Sequence, residues 1–206
     1  GKCVINIQET LQSNSYDIVK SVEIVALMYN TFKIYEDIFK DPTYSEVADD
    51  MTECITKNFW DEKRRVLKRN VDDLESSACI EMLYAISLSY SVATRDIQIK
   101  LLDTIFRELY TPYGIRVFAK TSARADGLVY PKYMAYFIEA NLNQNGRSYA
   151  SKKIAYNLVK ELFLDIGKYV KDSIIYAYSE KGISIDSKVL DLYTISEMIR
   201  LYTMFM

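Results

Sequence analysis

Chain-breaking residues are scarce in this protein: its 206 residues include only six glycines and three prolines. Because these residues end helices and form tight turns, their scarcity predicts long, uninterrupted elements, and it favours helices over a sandwich of many short strands. Half of the residues are hydrophobic and 26% are charged, as in ordinary globular proteins. The length suits one domain with a sizeable core. We therefore predict a single all-α domain over residues 1–206.

Several residue types that sites depend on are missing or few. The chain has no histidine, which excludes histidine-based triads, histidine-ligated zinc and acid–base catalysis by histidine. Its three cysteines, Cys3, Cys54 and Cys79, lie far apart without a C-x-x-C pair, so we expect reduced thiols rather than a disulfide framework. The sequence shows no cluster of potential ligands, and we expect no metal and no cofactor.

Charge and hydropathy limit the partners and the compartment. A net charge of −2 argues against nucleic-acid binding, which needs a basic face to neutralise phosphates. One basic cluster, Lys63-Arg64-Arg65 with Lys68-Arg69, has acidic neighbours and is interpreted as a solvated surface. No apolar run reaches the roughly 18 residues of a membrane span, and the start does not resemble a signal peptide. We expect a cytoplasmic protein that does not enter a membrane, with Gly1 either an artefact or an internal start.

Apolar periodicity predicts seven or eight helices, mostly joined by short connections, which makes neighbouring helices antiparallel hairpins. Ser148 and Ser187 are predicted N-caps, Gly167 and Gly182 predicted helix stops, and Thr111-Pro112-Tyr113-Gly114 a predicted turn. Residues 115–130 have no helical period and are predicted to form an extended loop. The predicted helices are Val22–Phe39, which should be buried on most sides, and 45–58, 75–91, 96–110, 131–144, 148–165, 167–180 and 187–206.

Six segments resemble, in the same order, the C-terminal amylo-1,6-glucosidase region of glycogen debranching enzymes. The strongest is Glu108-Leu109-Tyr110-Thr111-Pro112-Tyr113-Gly114-Ile115-Arg116, which resembles E-L-L-T-P-Y-G-L-R. The others resemble V-E-I-N-A-L-W-Y-N, F-W, A-I-S-L-P-Y-S, G-T-V-W-P-W with F-I-E-A, and S-V-A-E-V-L-R. They are, respectively, 22–30, 58–60, 85–91, 127–131 with 137–140, and 194–200.

The resemblance implies an (α/α)6 toroid, a ring of six helical hairpins around a substrate pocket. This chain has too few helices to close such a ring, so we expect an incomplete toroid-like arrangement. Uncovered hairpin faces would be apolar, and large apolar faces usually contact a partner. We therefore expect a homo-oligomer or a chain that lacks its N-terminal portion. The resemblance also implies an α-glucan or oligosaccharide as ligand.

The catalytic residues that the resemblance implies are not retained. Inverting glycoside hydrolysis needs two carboxyl groups, one as acid and one as base. The expected acid position holds Asn6, and the expected base falls near Ile175 in Ser173–Ser179, where no residue is acidic. The R-P-N-Q run falls on 79–82, and the two tryptophans of G-T-V-W-P-W are replaced by Tyr130 and Lys132. We expect a catalytically impaired relative, a pseudoenzyme.

The remaining pocket candidates are Glu23, Asn30, Tyr90, Tyr113, Arg116 and Tyr130. A carboxylate on an apolar helix is costly to bury unpaired, so Glu23 either lines a wet cavity or bonds a neighbour such as Arg116. Two alternatives stay open. One is an active α-1,6-glucosidase whose carboxylates come from Glu23, Asp17, Glu180 or Asp186. The other is a helical module that binds a partner protein.

Overall fold

The structure is a computed structural model that describes residues 21–169, 174–179, 181–187 and 192–206. The chain divides into two compact units, Gly1–Thr104 and Ile105–Met206. The described residues are mostly helical and form seven α-helices and three small sheets. The predicted dominance of helices is therefore confirmed, whereas a fold without strands is not. No helix in this described part is long and apolar enough to cross a membrane.

The first unit is built around a helical hairpin. Helices α1 and α2 pack against each other, and a π-helical turn extends α2 to Phe59. Its elements are α1 (Val22–Phe39), α2 (Pro42–Cys54), the π-turn Ile55–Phe59, β1 (Trp60–Asp61), β2 (Val66–Leu67), a 3-10 turn (Ile80–Leu83), α3 (Tyr84–Ser87) and α4 (Arg95–Glu108). Strands β1 and β2 are antiparallel, and α4 continues into the second unit.

The connection between α1 and α2 is shorter than predicted. Lys40 adopts a left-handed conformation after α1, and the Asp41 carboxylate accepts a hydrogen bond from the backbone N–H of Thr43 at 2.9 Å. Asp41 is therefore an N-cap, and Pro42 occupies the first helical position, where proline lacks only a hydrogen bond that would be unmade anyway. Helix α2 consequently begins at Pro42, and the predicted start at Ser45 is wrong.

The bounds of α1 agree with the prediction, but its burial does not. Val22, Val25 and Ala26 are buried, as expected for an inner helix. At the other end Ile38 and Phe39 are each 64% exposed. The prediction that α1 is buried on most sides is therefore wrong, because only these three residues are buried and Leu27, in the second turn, is already 38% exposed. An exposed apolar end is compatible with the expected oligomer, which stays a prediction.

The predicted third helix, 75–91, is replaced by two short turns. The 3-10 turn Ile80–Leu83 leads into α3, which ends because Leu88 is extended. The Ser91 hydroxyl donates to the carbonyl oxygen of Ala85 at 2.7 Å and so takes a backbone acceptor that a longer helix would use. Serine side chains compete with the helix in this way.

The second unit combines helices with a hairpin and a three-stranded sheet. Its elements are β3 (Tyr110–Thr111), β4 (Gly114–Ile115), β5 (Leu128–Val129), a 3-10 turn (Pro131–Tyr133), α5 (Met134–Asn145), α6 (Tyr149–Tyr169), β6 (Ile174–Ser179), β7 (Ser184–Ser187) and α7 (Leu192–Thr203). Strands β3 and β4 pair with each other, and the three-stranded sheet has the order β5-β6-β7, all antiparallel. The predicted extended loop over 115–130 is thus confirmed, apart from its strand ends.

One predicted helix of the second unit is wrong. Residues 174–179 form strand β6, since the segment I-I-Y-A-Y-S is rich in the β-branched and aromatic residues that strands favour. Gly182, at φ +75°, lies in the connection between β6 and β7. Gly167 lies inside α6 and does not end it, and Ser187 is part of β7 rather than an N-cap.

The predicted N-cap of α6 is confirmed, and α4 has an apolar face. The Ser148 hydroxyl accepts a hydrogen bond from the backbone N–H of Ser151 at 3.2 Å, as an N-cap of α6 does. On α4, Ile97 and Leu101 are buried, and Ile105 continues the same stripe in the second unit. An apolar stripe of this period is the face by which an amphipathic helix packs.

Candidate functional site

The first unit holds a cluster of charged side chains beside the start of α1. The backbone N–H of Val22 donates to the carbonyl oxygen of Arg69 at 3.0 Å, and Ser21 forms a β-bridge with Asn70. The segment after β2 is therefore fixed against the first turn of α1. This brings Arg69 close to Glu23, and the 3-10 turn that packs on α1 adds Glu81. We call Glu23, Arg69 and Glu81 the carboxylate cluster.

Glu81 and Arg69 form an ion pair that is buried on one side. Arg69 Nε lies 2.7 Å from Glu81 Oε1; the Glu81 side chain is 8% exposed and that of Arg69 is 45% exposed. The second carboxylate oxygen, Oε2, is buried and accepts no hydrogen bond from a nitrogen or oxygen atom of the described residues. Burial raises the pKa of the neighbouring Cys79 thiol well above its usual value, and the Glu81 charge adds to this rise. Glu81 is thus a buried carboxylate whose charge Arg69 balances through one of its two oxygens.

Glu23 is the second carboxyl group of the cluster and is half-buried. Burial raises its pKa, and repulsion by Glu81 raises it further, while Arg69 acts in the opposite direction. A carboxyl group with a raised pKa is suited to donate a proton, as a general acid does. Two carboxyl groups that interact electrostatically are also the minimal equipment of a glycoside hydrolase. The predicted pairing of Glu23 with Arg116 stays a prediction.

Two other pocket candidates of the first unit bind each other. The backbone N–H of Tyr90 donates to Asn30 Oδ1 at 3.0 Å, which ties α1 to the segment after α3. The Tyr90 hydroxyl donates to the carboxylate of Asp37, and this hydrogen bond raises the pKa of Tyr90. Both side chains therefore already hold the local fold together.

In the second unit, the predicted turn forms the hairpin β3–β4, which packs on the backbone before α5. The Thr111 hydroxyl donates to the carbonyl oxygen of Gly114 at 2.9 Å inside the hairpin. Ile115 and Tyr130 exchange backbone hydrogen bonds of 3.1 and 2.9 Å. A Cβ atom on Gly114 would lie 2.7 Å from the carbonyl carbon of Tyr130 and 2.9 Å from the nitrogen of Pro131. Gly114 is therefore required by a close approach of two backbone segments.

The neighbouring candidates Arg116 and Tyr113 have structural contacts. The Arg116 guanidinium lies 3.4 Å from the carbonyl oxygens of Glu108 and Tyr110, at the end of α4, where a cation stabilises unpaired carbonyl groups. The Tyr113 ring lies 5.2 Å from the ring of Tyr178 between centroids. A Cβ atom on Gly182 would meet the Tyr113 ring at 2.6 Å, so this ring also contacts the β6–β7 connection.

Tyr130 belongs to a set of tyrosine rings around one lysine. Lys132 Nζ lies 5.6 Å from the ring centroid of Tyr130, 5.3 Å from that of Tyr133 and 5.5 Å from that of Tyr193. These distances are within the range of cation–π attraction. The Tyr130 hydroxyl donates to Asp126 Oδ2 at 2.7 Å, which fixes the ring. We call the three tyrosines and Lys132 the lysine cage.

Among the described residues, the other positions predicted to be catalytic do not form a pair of carboxyl groups. Asn6, Asp17 and Glu180 lie outside the described residues. Ile175 and Asp186 are register partners in strands β6 and β7. The expected base position is therefore in a sheet.

The sequence interpretation missed Glu81 and Arg69. Glu81 was treated only as a replaced sugar-binding position, and Arg69 as part of a solvated basic cluster. A signal was present, because Glu81 stands in the apolar run Cys79-Ile80-Glu81-Met82-Leu83, and a carboxylate at such a place needs a cation. Which cation pairs with Glu81 depends on how the chain folds after β2.

Comparison with known proteins identifies the family of this chain. The model of the amylo-alpha-1,6-glucosidase family matches residues 18–127, just over half of the chain. The chain belongs to the amylo-alpha-1,6-glucosidase family. The match includes the carboxylate cluster and the β3–β4 hairpin and ends before the lysine cage. This family membership confirms the resemblance read from the sequence segments. No curated protein matches the chain.

Solved structures show the fold to which this family member is similar. Neutral trehalase Nth1 from Saccharomyces cerevisiae matches with a TM-score of 0.66 and 15% identity, over 90% of this chain and 38% of the trehalase. A glycosyl hydrolase of family 88 from Bacteroides vulgatus matches with a TM-score of 0.61 and 12% identity, over 98% of this chain and 67% of that one. Both are (α/α)6 hydrolases, so the predicted relation to part of such a toroid is confirmed. The chain spans well under half the length of the trehalase.

Proposed function

We propose that this member of the amylo-alpha-1,6-glucosidase family is a carbohydrate-related domain with impaired hydrolysis. The observation that carries the proposal is the lysine cage. Where the sequence resembles G-T-V-W-P-W, the tyrosine rings are engaged by the chain's own Lys132 ammonium group. A sugar that stacks on these rings would have to displace this cation and lose its attraction to them. The cage therefore opposes sugar binding at the place where the resemblance predicts it.

The carboxylate cluster supports the same proposal by a second route. Glu81 stands where the resemblance expects an amide, and Arg69 neutralises it directly. An inverting enzyme needs its base free to activate water, and an ion-paired carboxylate is a weaker base. The acid position expected from the sequence holds Asn6, whose amide has no proton to donate to a leaving oxygen.

The experiment is a glucose-release assay on a branched limit dextrin, with an active debranching enzyme as positive control. We expect no glucose above the blank from the wild-type protein. Glu23→Gln, purified in parallel, is the matched control, because it keeps the shape of the side chain and removes its proton chemistry. Glucose release by the wild type that is lost in Glu23→Gln would overturn the proposal. Equal release by both proteins would identify a contaminating glucosidase.

One observation favours an alternative, an active α-1,6-glucosidase. Glu23 is half-buried with a raised pKa, and it interacts with a second carboxylate, Glu81. A raised pKa of this kind favours the protonated form that a general acid needs. In that case Glu23 would be the acid and Glu81 the base, weakened by its ion pair with Arg69. Glucose release by the wild-type protein that rises in Arg69→Gln and is lost in Glu23→Gln would distinguish this alternative from the impaired domain.

A further inference from the structure

A pocket outside both clusters lies in the second unit, between the start of α6 and the end of α7 with the residues that follow it. Its volume is about 740 Å³. Small-molecule sites have volumes of roughly 300–1,000 Å³. Its lining is made of cationic and aromatic side chains together with the final methionine: Arg147, Tyr149, Lys152, Lys153, Tyr156, Tyr202, Phe205 and Met206.

The charge of this pocket is positive. Three of its lining residues are cationic, and none is acidic. Arg147 is bound by the Glu139 carboxylate and by Asn143 Oδ1 at 3.0 Å. Lys152 and Lys153 have no ion-pair partner in the part of the chain that the structure describes. The unbalanced charge of the pocket is therefore that of two neighbouring lysines.

The position of these lysines on α6 increases the effect. They lie near the N-terminus of a 21-residue helix whose first turn contains no acidic residue. The N-terminal end of a helix carries a partial positive charge that falls off within the first turn, so it adds a small amount to the charge of these lysines, the fourth and fifth residues of the helix. A bound anion would relieve the repulsion between the lysines. The side chains that line the pocket thus have the electrostatics of an anion site.

The pocket also offers ring faces, from Tyr156 on α6 and Tyr202 on α7. Tyr156 and Tyr202 are 42% and 57% exposed, respectively. Their rings are held by edge-to-face contacts: Tyr156 with Phe205 at 5.6 Å, and Tyr202 with Phe163 at 6.2 Å between centroids. Such contacts fix ring orientation, and an exposed, oriented tyrosine can stack on the flat face of a ligand.

We propose that this pocket binds a small phosphorylated ligand with a ring, held by Lys152 and Lys153 at the phosphate and by Tyr156 and Tyr202 at the ring. Two ligand classes share this chemistry, nucleotides and sugar phosphates. The lysines select the phosphate and the tyrosines select the ring of the ligand, so a ligand with only one of these two groups should bind weakly. This site is independent of the proposed impairment of hydrolysis, since neither the carboxylate cluster nor the lysine cage contributes a residue to it.

The test is a calorimetric titration of the whole chain with AMP and with glucose 6-phosphate, and with inorganic phosphate, adenosine and glucose as partial ligands. We expect one of the two complete ligands to bind more tightly than any partial one, and the better of the two identifies the class. Lys153→Gln should weaken its binding about tenfold, equivalent to about 1.4 kcal/mol. Lys160→Gln is the matched control, because Lys160 is an exposed lysine of the same helix outside the pocket.

Three outcomes would overturn the proposal. The first is the absence of binding of both complete ligands at millimolar concentration. The second is inorganic phosphate binding as tightly as either of them, because the rings would then contribute nothing. The third is equal weakening by Lys153→Gln and Lys160→Gln, because the effect would then be one of net charge. Circular dichroism of each variant checks that it is folded. Tyr202→Phe, which keeps the ring, should retain binding, and Tyr202→Ala should lose it.

Discussion

Replacing Gly114 by alanine tests the close packing of the β3–β4 hairpin on the segment before α5. The added Cβ atom would lie 2.7 Å from the carbonyl carbon, 2.8 Å from the oxygen of Tyr130, and 2.9 Å from the nitrogen of Pro131. All three are backbone atoms, so no flexible side chain can turn away. The two segments must instead move apart.

The expected loss of stability follows from the hydrogen bonds that this movement would break. The hydrogen bonds between Ile115 and Tyr130, of 3.1 and 2.9 Å, are immediately next to the clash and are buried with Ile115. Each is worth about 1 kcal/mol. Overpacking a tight site adds about 1–3 kcal/mol. We therefore expect Gly114→Ala to lower the free energy of unfolding by about 3–5 kcal/mol.

The assay is urea unfolding followed by circular dichroism, with Gly146→Ala as the matched control. Gly146 has φ +80° and no atom within 4 Å of a Cβ built on it, so it carries only the conformational penalty of alanine. With ψ 173° this conformation is open essentially to glycine alone, and the penalty is about 1–3 kcal/mol. Gly114→Ala must therefore be clearly the more destabilising variant. If the two variants lose the same stability, the close approach at Tyr130 does not constrain the fold and the reasoning is refuted.

Three further predictions concern the two charged clusters. The raised pKa of Glu23 means that the folded protein binds a proton more tightly than the unfolded chain, so stability falls as pH rises from 4.5 through that raised value. Glu23→Gln should accordingly gain stability relative to wild type between pH 4 and pH 7, and a pH-independent difference in urea unfolding would contradict this. Arg69→Gln should lower stability by about 2 kcal/mol, because it leaves Glu81 charged and unpaired. Adding Glu81→Gln should restore part of the loss, and a double variant no more stable than Arg69→Gln would argue against the ion pair. Lys132→Ala should raise the affinity for maltooligosaccharides several-fold in a titration, with Lys160→Ala unchanged, and no difference between the two variants would argue against the lysine cage.

Much of the fold was predictable because its elements carry their own signals. The bounds of α1, the N-cap Ser148 and the hairpin at Thr111–Gly114 are each specified within a few residues by apolar period, a capping hydroxyl and turn chemistry. Strand β6 was mistaken for a helix because its apolar run is short and fits either structure. Its pairing with β5, far away in the sequence, decides between them.

The candidate site was predictable only in part, for a similar reason. Glu23 was identified because a carboxylate on an apolar helix stands out within its own segment. Its neighbours Arg69 and Glu81 come from two other segments, and only the hydrogen bond between Val22 and Arg69 and the packing of the 3-10 turn bring them together. Side chains that meet across segments cannot be paired from sequence spacing, whereas local contacts such as that of Arg116 with the end of α4 can.

The positions that match the family pattern and those that depart from it have different physical roles. Gly114 matches the pattern, and its replacement would force backbone segments apart, so it is needed for folding whether or not the protein hydrolyses anything. Glu81 and Lys132 depart from it, and each is compensated locally, Glu81 by Arg69 and Lys132 by three tyrosine rings. Such compensation lets polar replacements enter half-buried sites without the stability loss that an uncompensated charge would cause. A chain can therefore keep the family fold while residues change at positions that the resemblance assigns to the sugar pocket, and the proposed impairment of hydrolysis requires this combination.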